Sequence, residues 1–183
     1  MVATAAEGNR PRRRRRWLKV ALVTVPAIVL AGSLSGYLSN SGYSNEWFAA
    51  LRKPGIMPPG WAFPVAWTTL YALMGVAVAR VITATPSRPR TIGLALFAAQ
   101  LALNFSWSPV FFGAGMIDWG FLIIMAMNVA VTATIIAFSR VNGVAGLLLL
   151  PYLAWLCLAT ALNWEIGRLN PGADRAPLGI MGA

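Results

Sequence analysis

The chain has 183 residues, 58% of them hydrophobic and 11% charged, where an ordinary soluble domain carries about 25% charged residues. One cysteine (Cys157), no histidine and five acidic residues exclude an internal disulfide and a CxxC metal site, remove the usual general base and zinc ligand, and leave little room for paired-carboxylate chemistry. The formal net charge is +10, but seven of the fifteen basic residues lie between Arg10 and Lys19. A basic run directly before an apolar helix fixes membrane orientation and meets anionic lipid, and no nucleic-acid motif accompanies it.

Residues 1–16 are polar, small and arginine-rich, and are expected to be disordered. Leu18 to Leu38 is the first apolar segment. Its length approaches the roughly 20 residues that span a bilayer and exceeds the 7–15 of a signal-peptide core, so a retained helix is expected. Its Gly32 and Gly36 form a small-xxx-small pair suited to helix packing. Four further spans follow, Trp61–Thr83, Thr91–Phe112, Asp118–Ser139 and Val144–Arg168, joined by turn-forming segments rich in Pro, Gly, Asn and Ser. Asp118 suits the positive end of a helix dipole. The expected fold is an all-α membrane protein: five transmembrane helices over 17–170, a structured loop between the first two, and a tail over 171–183.

With the N-terminus inside, eleven Lys and Arg residues fall on the inner side and four (Arg52, Lys53, Arg168, Arg175) on the outer side. The positive-inside rule therefore predicts a cytoplasmic N-terminus and an outer C-terminus. The stretch Trp47–Tyr71 then begins as an outer loop. It holds three tryptophans, two phenylalanines, a tyrosine and four prolines, a composition suited to covering or lining something.

Helical periodicity places candidate functional groups on shared faces. Phe63, Trp67, Tyr71 and Gly75 share one face of the second span. Gln100, Asn104 and Ser108, with Trp107 beside them, share one of the third. Asn128 and Thr132 lie a turn apart in the fourth, and Tyr152, Trp155, Ala159 and Asn163 follow one face of the fifth. Polar groups are costly against lipid, so these faces point inward. For any one residue, interhelical hydrogen bonding or packing explains the placement as well as function does. Together they describe an apolar pocket with a few placed polar groups, Ala159 and Gly75 leaving space, and flat aromatic walls that suit a flat hydrophobic ligand.

Glu165, near the outer end of the fifth span, has two readings: a carboxylate reaching interfacial water, or a proton-coupled transport site. Arg52 and Lys53 are either ordinary loop charges or partners for ligand carboxylates at the pocket mouth. Trp17, Trp119 and Trp164 sit where interfacial anchors belong. The alanines at 95, 98, 99 and 102 give the third span a small-residue surface, which either packs internally or meets a second copy.

Trp47, Leu51-Arg52-Lys53-Pro54, Pro58-Pro59-Gly60-Trp61, Phe63, Trp67 and Leu70-Tyr71 resemble the signature of the TspO/MBR family of tryptophan-rich sensory and translocator proteins. Leu103 to Phe112, Pro151 to Trp155, Ala161 to Asn163 and Arg168 to Asn170 continue it in order, and the similarity covers roughly residues 18–171. The resemblance implies a five-helix, commonly dimeric membrane receptor or translocator for tetrapyrroles such as protoporphyrin IX, with other flat hydrophobic ligands, cholesterol among them, for some members. It requires no cofactor; porphyrin is ligand. Carried over by motif, its ligand-binding residues are Phe48, Trp67, Tyr71, Asn104, Trp107, Ser108, Trp155 and Ala159. Its rivals are a proton-coupled exporter and a light-dependent porphyrin-degrading enzyme. Phe48 stands where the family often has a tyrosine tied to that photochemistry. Ile56 replaces an aromatic, and Trp164 a tyrosine of the sterol pattern.

Overall fold

The computed structural model describes residues 10–181, with the backbone alone described over 10–15. Within them the chain is helical without a strand, and five helices are long and apolar enough to cross a membrane. The first helix, α1 (Arg10–Leu38), leads to a short α2 (Glu46–Ala50) in the loop. Then come α3 (Ala62–Ile82), α4 (Arg88–Ser108) with a π-turn over Pro109–Gly113, and α5 (Ile117–Val141). The fifth span is α6 (Gly143–Leu147) followed by α7 (Leu150–Leu169). Helix α1 packs chiefly on α3, α4 on α5, and α5 on α7. Apolar side chains such as Leu22, Leu30 and Val129 stay exposed on the outer faces, as lipid-facing surfaces require.

Three expectations are corrected. Of the segment expected to be disordered, residues 1–9 lie outside the described part, but Arg10 to Arg16 continue the helical path of α1. The fifth span is broken at Leu148–Leu149, because Pro151 has no N–H to donate back to the preceding turn. The third span does not end at Phe112 as a plain α-helix. Pro109 cannot bond the Phe105 carbonyl, and the chain widens into π geometry with Ala114 N–H donating to the Pro109 carbonyl at 2.9 Å. The Phe105 carbonyl freed in this way accepts the Ser35 hydroxyl of α1 at 2.7 Å. A backbone group that lipid could not satisfy thus becomes a cross-helix contact.

The two ends of the bundle differ in charge. The start of α1, the end of α3, the start of α4 and the end of α5 share one end, which carries Lys19, Arg80, Arg88, Arg90 and Arg140. Every acidic residue among those described (Glu46, Asp118, Glu165 and Asp174) belongs to the other end. At the basic end Arg90 caps α3, donating to the Val81 carbonyl at 3.1 Å and the Ile82 carbonyl at 2.8 Å, where a cation also meets the negative pole of the helix. Trp17 is covered by the Arg80 guanidinium at 4.3 Å.

The tail is folded onto the acidic end. Asp174 accepts the Asp118 amide at 2.7 Å, and Asp118 accepts the Leu178 and Ile180 amides at 2.8 and 3.2 Å. Asp118, expected only as a dipole partner, is therefore a buried hinge post for the tail. Replacing Asp118 with Ala strands two amides, at about 1–3 kcal/mol for an unsatisfied group. The expected result is tryptic cleavage after Arg175 accelerated on the order of tenfold in detergent; cleavage at the native rate would refute this role.

Candidate functional site

The segment over the acidic end is built as a lid. Asn45 caps α2 by accepting the Phe48 amide at 3.0 Å, and its amide nitrogen donates to the Phe112 carbonyl at 3.2 Å. One buried side chain therefore both starts the short helix and ties it to the π-turn. Lys53 closes the other end of α2, donating to the carbonyls of Phe48, Ala49 and Leu51 while its ammonium lies 4.4 Å over the Phe48 ring. Partial burial pulls its pKa below the ordinary lysine value. The lid is also tied to the tail. Trp47 Nε1 donates to the Ala173 carbonyl at 3.1 Å, and Asn170 bonds both the amide and the carbonyl of Arg52, at 2.7 and 3.0 Å.

Beneath the lid lies a cavity of about 730 Å³ between α1, the loop, α3, α4, α5 and α7. This is within the 300–1,000 Å³ typical of small-molecule sites. All eight motif-derived residues line it: Phe48, Trp67, Tyr71, Asn104, Trp107, Ser108, Trp155 and Ala159. One wall is aromatic and edge-packed. Trp67 meets Tyr71 at 5.3 Å and Trp155 at 6.3 Å, and Phe63 meets Trp155 at 5.8 Å. The opposite wall comes from the lid and the π-turn. Trp107 stacks on Phe111 at 4.9 Å and 12°, and Phe48 packs on Phe112 at 5.0 Å. Since Phe111 already covers one face of Trp107, a ligand has only its other face or its edge.

At the cavity wall, the Tyr71 hydroxyl donates to Asn104 Oδ1 at 2.8 Å, and Asn104 Nδ2 donates to the Tyr152 hydroxyl at 3.0 Å. Tyr152 is buried behind this wall rather than lining the cavity. The chain of hydrogen bonds fixes the Tyr71 and Asn104 side chains in one arrangement.

Other face residues are placed differently. Gly75 does not open the cavity; a Cβ there would lie 2.6 Å from the Val25 backbone of α1, and its carbonyl accepts Thr24 Oγ1 at 2.7 Å. Gly32 instead makes room for the Tyr71 ring, which a Cβ would meet at 2.2 Å. Asn128 bonds Thr160 at 3.0 Å across α5 and α7, outside the cavity. Gln100 is buried between helices and lines no cavity wall. Lys53 is consumed in capping α2, and neither it nor Arg52 lines the cavity. Glu165 is half exposed, 3.7 Å from Arg168, and also lies outside it. Alanines 95, 98, 99 and 102 are exposed, so internal packing does not account for that surface.

Two contributions escaped sequence reasoning. The α1 face from Gly32 to Tyr37 and the turn Asn40–Ser44 line the cavity, with no periodic polar or aromatic signal to mark them. Phe111 and Phe112 reach it through the π-turn, for which Pro109 was the available cue. Asn163, expected on the inward face of the fifth span, does line it, with its Nδ2 spent on the Ile117 carbonyl at 3.0 Å.

The model of the TspO/MBR family matches residues 22–169. The chain is similar to the tryptophan-rich sensory protein of Cereibacter sphaeroides, 45% identical over 126 residues, 69% of this chain and 78% of that protein. It is similar to protein CrtK of Rhodobacter capsulatus, 42% identical over 127 residues, 69% and 79% of the two chains. It is also similar to the human translocator protein, 37% identical over 155 residues, 81% and 92% of the two chains.

Proposed function

The chain belongs to the TspO/MBR family, and on that premise we propose that it is a membrane receptor or translocator that binds porphyrins under the lid. As a five-span protein of this family it is an integral, multi-pass membrane protein. The observation that carries the ligand reading is the cavity of about 730 Å³ bounded by Trp67, Trp107 and Trp155, with Asn104 held in position by two tyrosines. Aromatic contacts of this kind contribute about 0.5–1.5 kcal/mol each beyond the area they bury, enough to favour flat, polycyclic ligands. Binding and passage, rather than catalysis, is the role this lining supports. Transport driven through Glu165 is less well supported, because that carboxylate sits outside the cavity beside Arg168.

The proposed orientation has the basic end on the cytoplasmic side, against anionic lipid, and the lid outside. A second copy is proposed to pack on the exposed alanine face of α4, where small side chains allow close helix approach.

Titration with protoporphyrin IX in detergent, followed by quenching of tryptophan fluorescence, tests the ligand reading. Saturable quenching is expected, with affinity falling on the order of tenfold in each of Trp155→Ala and Trp107→Ala. Unchanged affinity in both variants would remove the cavity as the binding site.

A further inference from the structure

We infer that the cavity selects ligands that are uncharged over their whole buried surface, so that a tetrapyrrole enters as a neutral ester or protonated acid in preference to the dicarboxylate. This rests on the tetrapyrrole reading above and adds the charge class of the ligand.

Among the described residues no Lys, Arg, Asp or Glu lines the cavity. Arg52 lies outside the cavity lining, and three other cations near the lid have other engagements. Lys53 spends its ammonium on three α2 carbonyls, Arg168 faces Glu165, and the Arg175 guanidinium lies 6.0 Å from the Trp47 ring centre. A carboxylate carried into the cavity would lose its hydration with no cation to replace it, which is unfavourable in an apolar enclosure.

Three buried polar atoms on the lining residues have no protein partner: the Ser41 hydroxyl, the donor Trp107 Nε1 and the acceptor Asn163 Oδ1. The last two lie in the neighbourhood of Phe111. Phe111 stacks on Trp107, and a Cβ built at Gly120 would meet both Phe111 and Asn163 Oδ1. One donor and one acceptor suit neutral polar groups: an ester or amide carbonyl on the indole N–H, and a pyrrole or amide N–H on the asparagine oxygen. Buried polar atoms are almost always satisfied, and neither of these atoms supplies the cation that a buried carboxylate needs.

The test compares protoporphyrin IX with its dimethyl ester by tryptophan quenching in the same nonionic micelles, with uptake by empty micelles subtracted. At a pH of about 8, where free propionates are ionised, the ester is expected to bind about tenfold more tightly. The affinity of the diacid should rise as the pH is lowered toward about 5 while that of the ester stays level. Trp107→Phe, which keeps a ring and removes the N–H, should weaken ester binding. Saturable binding of the diacid as tight as or tighter than the ester at the higher pH overturns the inference and leaves the tetrapyrrole reading standing. Saturable quenching by neither compound ends that reading and the inference together.

Discussion

Replacing Asn104 with Leu is expected to lower both the melting temperature of the protein in detergent and its affinity for porphyrin. The side chains have the same branched shape and number of heavy atoms, so the main change falls on hydrogen bonding, with the extra bulk of two methyl groups added to the wall. Tyr71 loses its acceptor and Tyr152 its donor, and both tyrosines are buried. A stranded buried hydroxyl costs about 1–3 kcal/mol in general. Within membrane bundles single hydrogen bonds average nearer 0.6 kcal/mol, because the reference state in lipid finds other partners. Tyr152 also keeps a contact with Met127 Sδ at 3.6 Å. A total loss of about 1–3 kcal/mol is therefore expected. The effect on binding follows from the freed Tyr71 ring, which forms part of the cavity wall. A double-mutant cycle with Tyr71→Phe separates the two: if the pair is coupled, the double variant is less impaired than the sum of the single ones. Melting and binding both at native values in Asn104→Leu would show that the hydrogen-bond chain does not organise the wall.

The second large effect is expected at Gly75. A Cβ there approaches Val25 Cα to 2.6 Å and its backbone nitrogen to 2.9 Å. The obstacle is main chain, which cannot rotate away as a side-chain tip does. In Gly75→Val, α1 and α3 must separate, and the Thr24 hydroxyl loses its 2.7 Å bond to the Gly75 carbonyl. Overpacking costs about 1–3 kcal/mol even where side chains can adjust, so a loss at or above the top of that range is expected. The measurement is thermal unfolding in detergent, with Gly55→Ala as the control, since a Cβ at Gly55 meets nothing within 4 Å. A Gly75→Val protein as stable as the control would mean that the α1–α3 contact is looser than described.

The lid and the tail belong to one mechanical unit. Trp47, Arg52 and Asn170 join them directly, and Asp118 anchors the tail to the start of α5. The match to the family model ends at residue 169, and each of these contacts joins a residue inside it to one beyond it.

How far the site was legible in the sequence depended on the range of the interaction. Apolar length determined five spans, because a bilayer of given thickness demands it. A spacing of three to four residues determined that Phe63, Trp67 and Tyr71 share a face, as do Asn104 and Ser108, because helix geometry is local. Which neighbour each face meets was decided only by tertiary packing. Gly75 follows the Trp67–Tyr71 face in sequence, yet it takes up α1 rather than ligand space, because α1 crosses α3 closely there. Lys53 lies in a motif that suggested a basic rim, but three carbonyls at the end of a five-residue helix claim its ammonium first. Phe111 and Phe112 reach the cavity because Pro109 opens a π-turn whose direction depends on what receives the freed carbonyl, Ser35 of a helix some seventy residues away in the chain. By itself the sequence determined the solvent, the number of spans and the inward faces. The tertiary structure alone decided the closure of the lid, the absence of charge from the cavity wall and the anchoring of the tail, since each depends on groups brought together across the chain.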